Sequence, residues 1–323
     1  MANLFRCIAG LGLTMLASPV LRAGDISYEL DTSYSYVGSA STDLGAFTQF
    51  VPGQTVNVHN GTLTYPAFVP SHYVTDQNKT ADVSEQSSLL RLVISPQLTE
   101  GLLLRVGTEW HRYWFGLPTE APLPNTLQSA SLVLGADMQL GNSWLLRVET
   151  TPGYYGNFHG LTGEDFDAPF TIGGSYIVSP DLQWVLGIEV DINNRFPVLP
   201  GAGVRWKFAE KWVLNGILPT PRLEYSYSKG LMLFVGADVQ MSTYYVDDNF
   251  GTAHGNSALN NALVNYTEIR TGAGVSWKIT RNITAEVESG YMPYRDFNFY
   301  RANVDVSTNT GAPYGQLAIT GRF

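Results

Sequence analysis

Glu109 and His111 stand two residues apart in an alternating run, so they share one face of an extended strand. A carboxylate beside an imidazole is a pairing that general acid–base chemistry uses. The same pairing arises by chance on any polar strand face, and no third group completes a site. His59, His72, His159 and His254 fall in stretches rich in Gly, Pro, Asn and Asp. Asp165, Asp167, Asp247 and Asp248 are near His159 and His254 in the chain. A hydrolase can build a site from loop or rim residues of this kind, but solvated loops are the far commoner explanation. The acidic pairs could also hold divalent cations that bridge lipopolysaccharide, but their spacing matches no zinc set. There is no G-x-S-x-G, H-E-x-x-H, Walker A or dinucleotide fingerprint. The expectation is a protein that is not an enzyme, with no cofactor and no metal.

The richer chemistry lies in charges sorted onto one strand face. Arg105, Glu109, His111, Asp137, Arg147, Glu149, Glu189, Asp191, Arg205, Arg222, Glu224, Glu268, Arg270, Glu286 and Glu288 all oppose an aliphatic face. Such a face lines a polar interior, where opposite charges on neighbouring strands pair and stabilise the wall. If Leu140 faces Trp144 across the turn at Gly141–Ser143, Asp137 falls opposite Arg147. The same residues could form a charged constriction that orients polar solutes.

Only strands can position them this way. Period-2 alternation runs almost the length of the chain, and no long segment follows a helical period. Leu104, Val106, Thr108 and Trp110 alternate with Arg105, Gly107, Glu109 and His111; Trp184, Leu186, Ile188 and Val190 alternate with Gly187, Glu189 and Asp191. Short turns alternate with longer loops at 37–83, 116–126, 152–169, 246–263 and 294–311, and with Pro-marked corners at 197–200 and 219–221. The series predicts an all-β, transmembrane antiparallel up-and-down β-barrel of 14 strands, with short periplasmic turns and long external loops. If 212–228 is one bent unit, the count becomes 12.

Composition agrees. Of 323 residues, 44% are hydrophobic and only 15% charged, well below the share in soluble domains. The net charge of −9 argues against a nucleic-acid partner. The single Cys excludes disulfide frameworks and Cys-based zinc sites. Trp144, Trp184, Trp206, Trp212 and Trp277 all lie near short turns, as one aromatic belt of a membrane barrel would. Trp110, Tyr113, Trp114, Tyr244, Tyr245, Tyr291 and Tyr294 are expected to form the opposite belt.

Residues 1–23 carry Arg6, an apolar stretch from Ile8 to Ala17 and a small residue, Ala23, at the expected cut. They read as an export signal, leaving 24–323 as a single barrel domain. Segment 37–83 is read as a long loop that folds into the mouth as a plug or lies outside it.

The ending Tyr314-Gly-Gln-Leu-Ala-Ile-Thr-Gly-Arg-Phe323 resembles the C-terminal strand signal of bacterial outer-membrane barrels, with Gly321 where a larger residue is usual. That resemblance implies a location in the bacterial outer membrane and reading of Phe323 by the barrel assembly machinery. Lys211-Trp212 with Pro219-Thr-Pro221-Arg222-Leu-Glu-Tyr225 resembles a hairpin of an uncharacterised family of outer-membrane, porin-like barrel proteins. It implies fold and location, and no substrate. The expected partners are outer-membrane lipid and small solutes. The expected function is a passive narrow channel for small polar or ionic solutes. The alternatives are a structural or surface-binding barrel with an occluded lumen, and a barrel hydrolase.

Overall fold

In the computed structural model, the structure describes residues 26–43, 55–58, 61–64, 80–118, 121, 123–254, 256–302, 304–308 and 310–323. The strands are β1 (Ile26–Asp43), β2 (Thr55–Val58), β3 (Gly61–Thr64), β4 (Thr80–Thr99), β5 (Leu102–Gly116), β6 (Thr126–Leu140) and β7 (Trp144–Thr150). There follow β8 (Gly153–Gly156), β9 (Phe166–Asp167), β10 (Phe170–Ser179), β11 (Leu182–Val190), β12 (Val198–Ala209) and β13 (Trp212–Asn215). The last are β14 (Arg222–Ser228), β15 (Leu231–Tyr245), β16 (Leu263–Lys278), β17 (Ile283–Phe299), β18 (Val304–Ser307) and β19 (Ala312–Arg322). No described helix is long and apolar enough to cross a membrane.

Fourteen strands close a wall in the order β1, β4, β5, β6, β7, β10, β11, β12, β13, β14, β15, β16, β17, β19 and back to β1. Every wall pair is antiparallel, and the seam between first and last strands runs from Glu29 opposite Arg322 to Val37 opposite Tyr314. Closure satisfies both edges of the sheet, which a structure in lipid requires. Strands β8 and β9 continue β7 and β10 beyond Pro152 and Pro169. The hairpin β2–β3 is separate from the wall.

The region 212–228 is two strands, and the count is 14. Its linking residues 216–221 stay in the wall: the Val239 and Ala237 amides donate to the carbonyls of Pro219 and Pro221 at 3.0 Å each. Pairing of this hairpin with β12 ends at Val204, whose carbonyl accepts from the Gly216 amide at 2.8 Å.

Expected loop boundaries differ from the structure where strands outrun the lipid. β1 continues to Asp43 and β4 starts at Thr80, so the segment read as loop 37–83 holds strand at both ends as well as β2–β3. There the outward residues become Ser39 and Ser41. The polar–apolar alternation fades while the hydrogen-bond ladder persists. The same happens in β12 at 198–200 and in β17 at 294–299, both read as loop from the sequence.

Outward residues are aliphatic or aromatic: Leu132, Leu186, Val235 and Val287 are each more than half exposed. Inward residues are mostly buried and polar through the short-turn half and middle of the barrel. A closed barrel with an apolar outer wall has lipid as its outer solvent.

Candidate functional site

The lumen is the candidate site, and it is layered. Near the short turns, Arg91 of β4 donates to Glu109 of β5 and to Glu149 of β7, both at 2.6 Å. Arg105 of β5 donates to Glu149 at 3.0 Å and lies 3.5–3.6 Å from Glu29 and Asp137. Arg147 grips Asp137 with two bonds of 2.5 and 2.7 Å, and the two residues are opposite each other in register. A bidentate guanidinium–carboxylate pair is the strongest form of such a contact. Arg322 closes the group onto Glu29 and Asp31 at 3.3 and 3.0 Å.

Across the lumen, Arg222 of β14 reaches Glu286 and Glu288 of β17 at 3.1 and 3.4 Å. Between the two groups lies a cavity of about 270 Å³, lined by Arg91, Arg105, Arg147, Arg222, Arg322, Glu29, Asp31, Asp238 and Glu286 among others. A water needs a polar, roomy site with several partners, and this cavity meets that requirement.

The middle layer is a buried four-charge cluster. Arg270 of β16 reaches Glu85 of β4 at 2.9 Å and Glu268 at 3.0 Å, and Arg295 of β17 reaches Glu85 at 3.4 Å. All four side chains are essentially inaccessible. β4 and β16 are not wall neighbours, so these bonds run as a chord across the interior.

The outer layer is apolar. Tyr113 and Phe115 of β5, Tyr244 of β15, Tyr266 of β16, and Phe297 and Phe299 of β17 pack together. Tyr113 lies 4.8 Å from Tyr266 between ring centres, and Phe115 lies 4.9 Å from Phe297. The Tyr113 hydroxyl donates to Gln240 of β15 at 2.8 Å, joining opposite walls. Leu123, Val246, Phe250, Leu259 and Val304 from the outer connections complete the layer. Above the shorter strands the mouth is pinched: Tyr245 of β15 pairs in parallel with Gly156 of β8, and the Asn157 amide donates to the Tyr245 carbonyl at 3.1 Å.

This arrangement moves two expected belt residues. Tyr113 and Tyr244 were expected on the outer wall and are inside, at 0% and 1% exposure. Parity explains it, since Tyr113 shares a face with Glu109 and His111. The belt parity holds for Trp110 and Trp114, which lie on the opposite face of β5, half-buried. Near the short turns, Trp144, Trp184, Trp206, Trp212 and Trp277 stand 39–56% exposed. Phe323 is half exposed, its ring lying over Gly321, whose Cβ, if present, would come within 2.8 Å of it.

Glu109 is held by Arg91, and the His111 ring rests 4.3 Å from Tyr113, so both side chains lie among the lumen contacts. Glu189 and Arg205 face inward on β11 and β12, and Glu224 of β14 accepts from Asn215 at 3.5 Å. Asp191 lies just beyond β11 at the rim. It accepts from the Asn193 amide at 2.9 Å and the Thr243 hydroxyl at 3.1 Å. Burial, and after it the nearby Asp167 carboxylate, push its pKa up to about 7. His254 contacts the Phe250 carbonyl at 2.7 Å, Asp165 caps the turn at Thr162, and Asp247 accepts from Asn157 at 2.9 Å. His59 and His72 lie outside the described residues, as does segment 1–23, read from the sequence as an export signal. Among the described residues, no three His, Cys, Asp or Glu side chains converge as a metal site.

Glu85 and Arg295 are interior residues that the sequence reading missed. Arg295 follows Pro293 and sits where the β16–β17 register shifts, so counting by twos misplaces it.

No curated protein matches the chain in sequence. Among solved structures, an outer membrane channel from Pseudomonas putida is similar at 10% identity and a TM-score of 0.42, over 94% of this chain and 97% of that one. The toluene transporter TbuX of Ralstonia pickettii gives 10% identity and 0.38, over 96% and 93%. The translocator domain of the autotransporter NalP of Neisseria meningitidis gives 13% identity and 0.37, over 100% of both chains. Likeness at this level leaves function to be argued from the residues themselves. A family model described as a domain of unknown function (DUF6268) matches residues 117–310. That match spans more than half of the chain, and the chain belongs to this family.

Proposed function

We propose that the barrel is a narrow outer-membrane channel for small polar or ionic solutes, closed at its outer end by the aromatic layer in the state described. The observation that carries this reading is the charge-lined cavity in the short-turn half of the lumen. Paired charges of both signs give such a passage polar walls without a strong preference for one ion. Export through the 1–23 signal and assembly through the Phe323 strand are part of the same proposal.

The test is single-channel recording of the refolded protein in planar bilayers. Rare, small openings are expected from the wild type, and larger, frequent steps from the double variant Tyr113→Ala/Phe115→Ala. Silence from the wild type, from this variant and from a deletion of 44–79 would overturn the channel reading.

A second reading, a surface-binding or structural barrel with an occluded lumen, is favoured by one observation. The outer layer is built largely from wall strands and is fixed by the Tyr113–Gln240 bond. Loop variants that change cell-surface binding, combined with silent bilayers, would support it.

A further inference from the structure

Arg112 breaks the sorting of charge. It lies on the outward face of β5 between Trp110 and Trp114, and among the described strands it is the only arginine on the outer wall. Its guanidinium stacks over Trp114 at 4.2 Å, and the two indoles meet edge to face at 6.3 Å. Ser88 and Gln128 are its cross-strand partners. Among the described residues no carboxylate pairs with it, and its buried Nε has no hydrogen-bond partner. The arginines inside the barrel at 91, 105, 147, 222 and 270, by contrast, are all ion-paired.

Its height explains how the wall tolerates it. Ten residues separate it from the start of β5, which at the usual strand rise and tilt is about 25 Å along the barrel axis. That equals the height of the apolar band, so the guanidinium sits at the outer headgroup level. There the cost of a cation falls to about 0–1 kcal/mol, and a counter-charge must come from lipid.

We propose that Arg112, framed by Trp110, Trp114, Ser88 and Gln128, is a binding site for the phosphoryl group of an outer-leaflet glycolipid. The guanidinium fork matches phosphate oxygens, and the indoles hold it in plane. The apolar groove formed by Tyr34, Leu90, Trp110, Leu317 and Ile319 adjoins the site and would take an acyl chain of the same lipid.

The experiment is native mass spectrometry of the full barrel refolded in micelles. The micelles are doped in separate arms with diphosphoryl lipid A, dephosphorylated lipid A, phosphatidylglycerol or inorganic phosphate. Retention of diphosphoryl lipid A by the wild type is expected to fall about tenfold in Arg112→Gln and only in part in Arg112→Lys. Unchanged heat-modifiable mobility on gels establishes that each variant is folded, and Trp114→Ala provides an independent loss of the stacking wall. Equal retention by wild type and Arg112→Gln would overturn the site. Equal retention of dephosphorylated lipid A would overturn the phosphoryl class, and equal retention of phosphatidylglycerol or free phosphate would overturn the glycolipid source.

Discussion

Glu149→Gln tests whether the inner lattice is a cooperative unit. Glu149 accepts from Arg91 at 2.6 Å and from Arg105 at 3.0 Å, and its side chain is 2% exposed. Stripping one partner from a buried pair costs about 3–5 kcal/mol. Two features lower that figure here. Arg91 keeps Glu109 at 2.6 Å, and Arg105 keeps contacts to Glu29 and Asp137. Both guanidiniums also touch the 270 Å³ cavity, where water can solvate them. The glutamine retains one acceptor oxygen, so about 2–3 kcal/mol is the expected loss. The assay is urea unfolding and refolding in detergent micelles followed by tryptophan fluorescence, run for Glu149→Gln, Arg91→Met and the double variant. The double variant should be more stable than the sum of the single losses by about 1 kcal/mol or more, because it leaves fewer unpaired charges. A loss below about 0.5 kcal/mol, or strict additivity, would refute a coupled lattice.

Other outcomes follow from the same geometry. Tyr113→Phe keeps the ring packing and loses the bond to Gln240, so it should cost about 1 kcal/mol in the same urea assay, against about 3–5 for Tyr113→Ala. Gly290→Ala should block assembly, read as loss of the heat-modifiable band, because its Cβ would lie 2.1 Å from the Thr271 carbonyl oxygen and 2.5 Å from the Gly272 Cα. Asp191 titrates near 7 in the folded barrel and near 4 when unfolded, so the folded state binds the extra proton between those values. Its ionisation, against Asp167 and Glu189, therefore withdraws stability as pH rises from about 4 to 7. Asp191→Asn should raise the melting temperature at pH 8 and leave it nearly unchanged at pH 4; equal effects at both would contradict the assignment.

The wall was legible because lipid enforces strict alternation. Each outward charge in the band costs about 2–4 kcal/mol at the midplane, so parity alone places Asp137 opposite Arg147 and separates Glu286 and Glu288 from Val287. Legibility fails at the outer rim for the same reason. At the headgroup level the outward face need not be aliphatic, and aromatic residues occur on both faces, as Trp110 and Trp114 outside and Tyr113 and Phe115 inside show. Which charges bond across the lumen was not readable at all. The Glu85–Arg270–Arg295 cluster joins residues about 185 and 210 positions apart, and only barrel closure brings them together.

The hairpin 212–228 has a consequence for the surrounding bilayer. A barrel strand needs about 9–11 residues to cross the hydrocarbon. With its wall-bound linking residues, the second arm runs from Pro219 to the end of β14 at Ser228 and just crosses the hydrocarbon, whereas β4 and β17 have 20 and 17 residues and continue past it. The outer rim is therefore stepped: over β13 and β14 the wall stops near the lipid boundary, and at β4 and β17 it stands clear of it. Headgroups and solvent meet the lumen mouth at a lower height on the hairpin side than on the side of the long strands.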